Sequence, residues 1–386
     1  MVGDTFGLPN HPNLTDKDIE YVVETVRAFG DEVRDRRERT ANRKPLTTKL
    51  EIYYSMRVLV TGGAGYIGNY IVEYLLERGH DVRVLDSMLF GDGALEPFRD
   101  HDRLEVREGD IRHIDDLSYA MEGMDAVVHM AGIVGDPACS VNEQATQSAN
   151  VEATKALVEV CKLHDIERLV FASTCSVYGA SELMELNEGS SLNPLSLYAE
   201  SKIDSEEIIL HETHDEFGGS DDITPTILRL GTIFGWSRRM RFDLVVNILT
   251  AKAVLEDDIP VYGGEQYRPL VHVEDAARAF ADVLEAPKED VDHEIFNVGD
   301  NDLNYQIKEV GRLVEEQVPE AEVRFVEHKE DERTYRVSFD KINHILGWKT
   351  RRDIPDGVEE IREWMTEEEI TEYDADHFRN SEYPYM

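Results

Sequence analysis

Cysteine is scarce in this chain, and so is positive charge. The three cysteines, Cys139, Cys161 and Cys175, form no CxxC pair, which excludes a disulfide framework and leaves no metal site to read. They read as reduced thiols of an intracellular, cytoplasmic protein. Lysine and arginine total 40 against 80 aspartates and glutamates, a formal charge of -40, and arginine outnumbers lysine more than two to one. Such a field repels phosphate backbones and anionic bilayers, so neither nucleic acid nor a membrane is expected as a partner. An anionic substrate would need its own basic pocket. Long apolar runs are missing too: none reaches the roughly 18 residues of a membrane span, and the acidic N-terminus carries no secretory pattern. No internal repeat is visible.

What is present is enough chain for two lobes, because single cores stop growing at roughly 250 to 300 residues. Residues 1–55 read as an N-terminal helical extension. Thr15 with Asp18 resembles a capping box, and Ile19, Val22, Val23, Val26 and Phe29 share one face between Leu14 and about Glu38. The polar RTANRKP after it reads as a linker. From Met56 the pattern becomes apolar run, turn and amphipathic helix, repeated. MRVLV, DVRVLD, LEVREGD, DAVVHMAG, RLVFAST and TPTILRL are the expected strands. Strands alternating with helices predict an α/β fold with a doubly wound parallel sheet, mainly over 56–235. After Gly231 the alternation weakens: FDLVVNILTAKAVL reads as a helix, followed by short loops, EIFNVG and a closing LGW. Residues 236–386 are therefore expected to be mainly a smaller C-terminal substrate lobe and a tail.

The stretch VLVTGGAGYIGNYI sets Gly63, Gly65 and Gly68 in GxGxxG spacing, and Gly62, Gly65 and Gly68 in GxxGxxG, between a strand and a helix. Glycine permits the tight turn and lets a pyrophosphate approach backbone N–H groups at the positive helix end. Asp86 follows about 20 residues on, at the end of VRVLD, the position that accepts hydrogen bonds from adenosine ribose hydroxyls. The next residue is Ser87, not an arginine for a 2′-phosphate, so a Rossmann-type site for NAD is favoured over one for NADP.

In NPLSLYAESKIDSEEIIL a helix is expected after Pro194, which puts Tyr198 and Lys202 four apart on one face. STCSVYG closes the preceding strand and supplies Thr174. Oxidising a sugar alcohol requires removal of the O–H proton while C–H leaves as hydride. A phenol with an ammonium beside it is suited to that proton transfer. In this reading Tyr198 is the base, Lys202 its electrostatic partner and a ribose donor, and Thr174 holds the reacting oxygen.

From Met56 to about Trp364 the chain resembles the extended short-chain dehydrogenases/reductases of the NAD-dependent nucleotide-sugar epimerase and dehydratase group. The resemblance rests on TGGAGYIG, Asp86, GDI, HMAG, NVEAT, STCSVYG, YAESK, RPLVHVEDAARA and LGW, in family order. It implies that Gly62, Gly65, Tyr66, Ile67, Gly68, Asp86, Ala131 and Gly132 border NAD, with Asp110 and Ile111 beside adenine. It implies that Asn150 supports an active-site water or the backbone, and that Thr174, Tyr198 and Lys202 are catalytic, the last two also touching the cofactor. In the 4,6-dehydratases of this group an acidic pair follows the threonine; here those positions are Cys175 and Ser176. The resemblance therefore points to an epimerase, at C4 through a transient 4-keto sugar as in UDP-glucose 4-epimerases. A dehydrogenase, reductase or dehydratase of the group stays as the alternative, and a non-catalytic NAD-binding sensor as the more distant one. Cys175 reads as a small packing residue before a proton donor.

The implied partner is a nucleotide-diphosphate sugar. GWSRRMRF gathers Arg238, Arg239 and Arg241 in a chain otherwise full of carboxylates, and Arg238 and Arg241 are the candidates for a diphosphate. Arg268 in QYRPLVHVED matches the family arginine that grips the pyrophosphate of the substrate, for which bidentate guanidinium geometry is suited. Thr232 stands where the family carries an asparagine, and the substrate-lobe asparagine pair is not clear in RFDLVVN, so the nucleotide base and the sugar are left open. Proteins of this group commonly form homodimers, and a homodimer is expected. The segment LPNHPNLTDKDIEYVVETVRAFG resembles the closing segment of sugar aminotransferases, and Met56 is where the resembled family ordinarily starts, so residues 1–55 are expected to be dispensable for catalysis.

The acidic excess also predicts a halophilic protein. At this charge self-repulsion strains a fold in dilute buffer, whereas molar salt shortens the screening length to about 3 Å. Dialysing KCl away is expected to cost structure, read as a fall in the circular dichroism melting temperature; a melt unchanged between low and molar KCl would remove this reading.

Overall fold

The computed structural model describes residues 55–179, 185–213, 223–327 and 334–380. The expected N-terminal extension, its helix and the dispensability assigned to it lie outside the described residues, apart from Ser55.

Six strands and a late seventh build the main sheet: β1 (Arg57–Thr61), β2 (Asp81–Asp86), β3 (Leu104–Glu108), β4 (Ala126–His129), β5 (Arg168–Thr174), β6 (Thr224–Leu230) and, further on, β10 (Glu294–Val298). Their order is β3-β2-β1-β4-β5-β6-β10, parallel throughout. The central strands read as unbroken apolar runs because both faces are covered. The pleat sorts them: Val58 and Val60 face one core with Ile71, Leu75 and Phe280, while Leu59 faces the other with Leu117, Leu157 and Ile209. On the first side lie the helices Gly68–Glu77 and Val273–Glu285; on the second lie Ile114–Met121, Ala153–Leu163 and Leu197–Glu212.

The chain leaves this sheet at Gly231. Strands β7 (Thr232–Phe234), β8 (Asp258–Tyr262), β9 (Tyr267–His272), β11 (Asn304–Gln306) and β12 (Glu322–Val326) form a three-stranded sheet, β11-β9-β7, and a two-stranded one, β12-β8. A third core, with Phe234, Leu249, Val261, Leu270, Val310 and Val358, joins them to the helices Val245–Glu256, Ile307–Gln317 and Ile354–Glu367. EIFNV, grouped by its position with the smaller lobe, is instead β10, which pairs in parallel with β6 as the seventh strand of the main sheet. The lobe's first strands are an insertion in one long crossover from β6 through Val273–Glu285 to β10, and order along the chain cannot show which sheet a strand rejoins.

The turn after β1 is where backbone geometry demands glycine. Gly62 has a φ of +74°, and a Cβ there would lie 2.9 Å from the Ala131 nitrogen that follows β4. At Gly68 a Cβ would overlap the Gly62 carbonyl oxygen. Gly68→Ala is expected to destabilise the protein by roughly 1–3 kcal/mol in denaturant titrations. Gly93→Ala, where the added methyl meets open space, should stay within about 0.5 kcal/mol.

Candidate active site

The strand order reverses direction between β1 and β4, the place where open parallel sheets bind ligands. A cleft of about 360 Å³ opens there, and Gly62, Gly65, Tyr66, Ile67, Gly68, Asp86, Asp110, Ile111, Ala131 and Gly132 all line it. The turn between β1 and the helix beginning at Gly68 is closed by the Asp86 carboxylate, which accepts from the Ala64 nitrogen at 3.0 Å and the Met88 nitrogen at 2.9 Å. Burial pushes the Asp86 carboxyl up, against the pull of those two N–H groups and of Arg239. The cradle fits a dinucleotide: a turn with no room for side chains would receive a pyrophosphate on its backbone, and the Asp86 carboxylate lines the same cleft.

Asn150 sits one layer behind the cleft, in a widened π-type turn at Gln147–Glu152. Its amide is spent on Ile133 and Ser201: Oδ1 accepts from the Ile133 nitrogen at 2.8 Å, and Nδ2 donates to the Ile133 carbonyl at 2.9 Å and to Ser201 Oγ at 3.0 Å. It thereby holds the wall beside Gly132 and ties it to the helix that carries Tyr198.

That helix, Leu197–Glu212, starts at Ser196, whose hydroxyl accepts from the Ala199 nitrogen at 3.3 Å and donates to Asp136 Oδ1 at 2.6 Å. Tyr198 lies in its first turn, packed against Ile133, Ala138 and Ala149, and its phenol is close enough to the Thr174 hydroxyl at the end of β5 for the two to interact. Burial pushes the phenol far up and the Cys139 thiol adds to this, while Arg241 and the Thr174 hydroxyl pull it down. Lys202 is buried; its Nζ donates to the Ala172 carbonyl at 2.8 Å and lies 4.6 Å from the Phe171 ring centre. Burial lowers it to about 8, with Cys139 and Glu206 opposing.

One turn beyond Lys202, Glu206 forms a buried ion pair with Arg229 of β6, Nη2 to Oε2 at 2.6 Å and Nε to Oε1 at 3.0 Å. The Ser173 hydroxyl donates to the same carboxylate. Arg229 Nη1 reaches the Tyr178 hydroxyl at 3.2 Å, which donates to Asn297 of β10 at 2.7 Å. Cys175 points into this packing: its Sγ donates to the Arg229 carbonyl at 3.3 Å, and burial pushes the thiol well up.

The arginine cluster divides. Arg238 is not a cleft residue: it forms a bidentate pair with Glu73 at 2.9 and 3.1 Å and lies over Tyr70, Phe98 and Trp236. Its neighbour Arg239, not chosen from the sequence, lines the cleft with Arg241. Arg241 is bidentate to Asp243 at 2.9 and 2.7 Å, with its guanidinium 5.9 Å from the Tyr66 ring centre. Arg268, on β9, is outside the cofactor cleft; it donates to the Tyr267 carbonyl at 2.8 Å and lies 5.9 Å from the Tyr335 ring centre. Phe90 and Asn380 also line the cleft without having been singled out. Arg239 could have been found by treating the RRMR run as a loop with mixed facing, whereas Asn380 carries no motif.

A parallel sheet with its cleft at the β1–β4 reversal and a Tyr-Lys helix beside it defines the extended short-chain dehydrogenase/reductase class. Within that class the chain belongs to the NAD dependent epimerase/dehydratase family, matched over residues 58–299. NAD is its cofactor. It is 28% identical, over 80% of its own length and 98% of the relative's, to a putative UDP-glucose 4-epimerase of Methanocaldococcus jannaschii. It is 29% identical to a dTDP-glucose 4,6-dehydratase of an Actinoplanes species, over 80% of this chain and 97% of the other. The solved dTDP-glucose 4,6-dehydratase DesIV of Streptomyces venezuelae, with NAD bound, superposes with a TM-score of 0.71 at 28% identity, covering 81% of this chain and 97% of that one.

The buried lysine has a measurable consequence. Its folded-state value of about 8 lies below the 10.5 of a free lysine, so between these values the unfolded chain holds a proton that the cofactor-free folded chain has released. Stability attributable to Lys202 should therefore rise as pH goes from about 8 towards 10.5. Urea titrations of the parent and of Lys202→Met across this range should differ most at the acid end, the difference closing as pH rises; parallel curves would contradict the assignment.

Proposed function

We propose that the protein is a nucleotide-sugar 4-epimerase that oxidises its substrate to a transient 4-keto sugar and reduces it again on the other face. The observation that carries this reading is the placement of Tyr198 near Thr174 and against Ile133 and Ala149 of the cleft wall, with Cys175 turned away into the core. Bound NAD supplies the reversible hydride acceptor. Tyr198 takes the proton from the reacting hydroxyl, and Thr174 holds that oxygen in line. Lys202 keeps positive charge near the phenol and the cofactor ribose. Arg268 and Arg241 are the residues assigned to the substrate diphosphate, Arg268 on β9 of the smaller lobe, and 236–386 is assigned mainly to the sugar site. We place the enzyme in the cytoplasm as a homodimer.

The relative named as a dehydratase favours a second reading, elimination of water across C5 and C6. That reaction needs a second acid and base, and Cys175 and Ser176 offer no carboxylate. A reductase that exchanges its cofactor stays distinguishable by spectrum.

Incubation with nucleotide sugars, beginning with UDP-glucose and without added NAD, is expected to give a 4-epimer with no net change at 340 nm. A requirement for added NAD(H) with changing absorbance would replace the epimerase by a dehydrogenase or reductase, and a 6-deoxy-4-keto product by a dehydratase. Tyr198→Phe should reduce turnover by roughly 10²- to 10⁴-fold while NAD stays bound; undiminished turnover would remove Tyr198 from the base role.

A further inference from the structure

The last described residues form a strap along the cofactor cleft, well beyond the 58–299 stretch that carries the family match. Phe378 anchors it. Its ring is buried 5.1 Å from that of Phe242 and 6.4 Å from that of Trp364, and its carbonyl accepts from the Phe242 nitrogen at 3.1 Å. Two residues on, Asn380 reaches the cleft wall. Its Nδ2 donates to the Val134 carbonyl at 3.2 Å, and its Oδ1 accepts from Arg239 Nη2 at 2.7 Å. Arg239 is 7% exposed, its guanidinium centre 3.8 Å from the Phe90 ring centre, and its charge bears on Asp86 and Asp243. The cleft is thus bordered by the glycine turn, with its N–H groups and helix N-terminus, and by a buried cation fixed by the strap.

We propose that residues 375–380 are part of the cofactor site, with Asn380 holding Arg239 against the pyrophosphate of NAD so that the dinucleotide is retained. The ligand chemistry follows from charge. A pyrophosphate enters a chain of net charge -40, so its compensation must be local and desolvated. The partner that the strap supplies is a neutral amide, which orients the guanidinium without adding a further carboxylate to Asp86 and Asp243, on which its charge already bears. Arg241, two residues along, shows the contrast, since its bidentate partner Asp243 is anionic. Stacking on Phe90 adds a flat face that keeps the guanidinium in one plane. The inference rests on NAD binding and not on the fate of the sugar.

The test is calorimetric titration of the full chain, stripped of cofactor, with NAD, ADP-ribose and adenosine. Asn380→Ala is expected to weaken NAD and ADP-ribose by about tenfold, the worth of an oriented charged hydrogen bond, and to leave adenosine unchanged. Asn380→Asp should weaken both at least as much, because the new carboxylate pairs with Arg239. A chain ended after Asp374 should lose the same selectivity. NAD affinity within about twofold of the parent in Asn380→Ala would overturn the proposal. So would an equal loss for all three ligands, which would make the strap a support of the fold alone. The point variants decide the matter if the shortened chain does not fold.

Discussion

The buried pair between Glu206 and Arg229 is the constraint on which the rest of the site depends. It joins the middle of the Leu197–Glu212 helix to β6 with both side chains 4% exposed. The same carboxylate receives the hydroxyl of Ser173, the residue before Thr174. One ion pair thus sets the position of the helix bearing Tyr198 and Lys202 against the strand end bearing Thr174. Removing one partner of such a pair strands a charge in the core at a cost of about 3–5 kcal/mol, which holds the register of helix on sheet more strictly than apolar packing would. The network continues through Tyr178 to Asn297, whose backbone nitrogen donates to Glu188 at 2.8 Å, so β10 is bound into the same arrangement.

A second set of bonds fastens the start of the smaller lobe to the glycine turn. The Tyr66 hydroxyl donates to the Gly235 carbonyl at 2.5 Å and accepts from Asn247 at 3.0 Å. Ser237 donates to the Tyr66 carbonyl at 2.8 Å and accepts from Asn69 at 2.8 Å. The loop that bears Arg238, Arg239 and Arg241 is therefore not free to place its charges; it is held on the cofactor turn. Among the described residues this is where an acidic chain concentrates guanidinium against a cleft. Arginine suits the task because its weakly hydrated plane tolerates burial beside aromatic rings better than an ammonium does.

Much of this was legible in the order of residues, for physical reasons that can be named. DVRVLD, RLVFAST and TPTILRL are β2, β5 and β6 to the residue, since short stretches dominated by β-branched and other apolar residues stand between turns and helices. The glycine turn was legible because a chain reversal under a helix tolerates no Cβ, and the Tyr198–Lys202 spacing because a helix repeats near four. What stayed hidden depends on distance in three dimensions. Glu206 and Arg229 look like ordinary charges until the fold brings them together. Arg238 and Arg239 are adjacent and chemically identical, and only the path of the loop decides which one meets Glu73 and which one meets the cleft. The seventh strand was misassigned because an insertion separates it from its neighbour, and Asn380 acts through a tail that no pattern marks.

The choice among reactions turns on how many protons the site can move. Reversible oxidation at one carbon requires a single group that takes a proton and returns it, and the two half-reactions are each other's reverse. Elimination of water requires in addition a base at the adjacent carbon and an acid at the leaving oxygen. Beside Thr174 the structure offers Cys175, whose thiol burial holds protonated and whose Sγ is engaged with the Arg229 carbonyl. Ser176 gives its backbone nitrogen to the Thr174 hydroxyl at 3.1 Å and brings an alcohol where a dehydratase of the group carries an acid. Cys139 is no substitute, because its Sγ is committed to the Ile133 carbonyl at 3.3 Å. With these thiols engaged, the proposed reading leaves Tyr198 as the group that exchanges a proton with the sugar. A site so equipped favours oxidation followed by its own reversal, which is why the epimerase reading stands ahead of the dehydratase one even though relatives of both kinds resemble the chain.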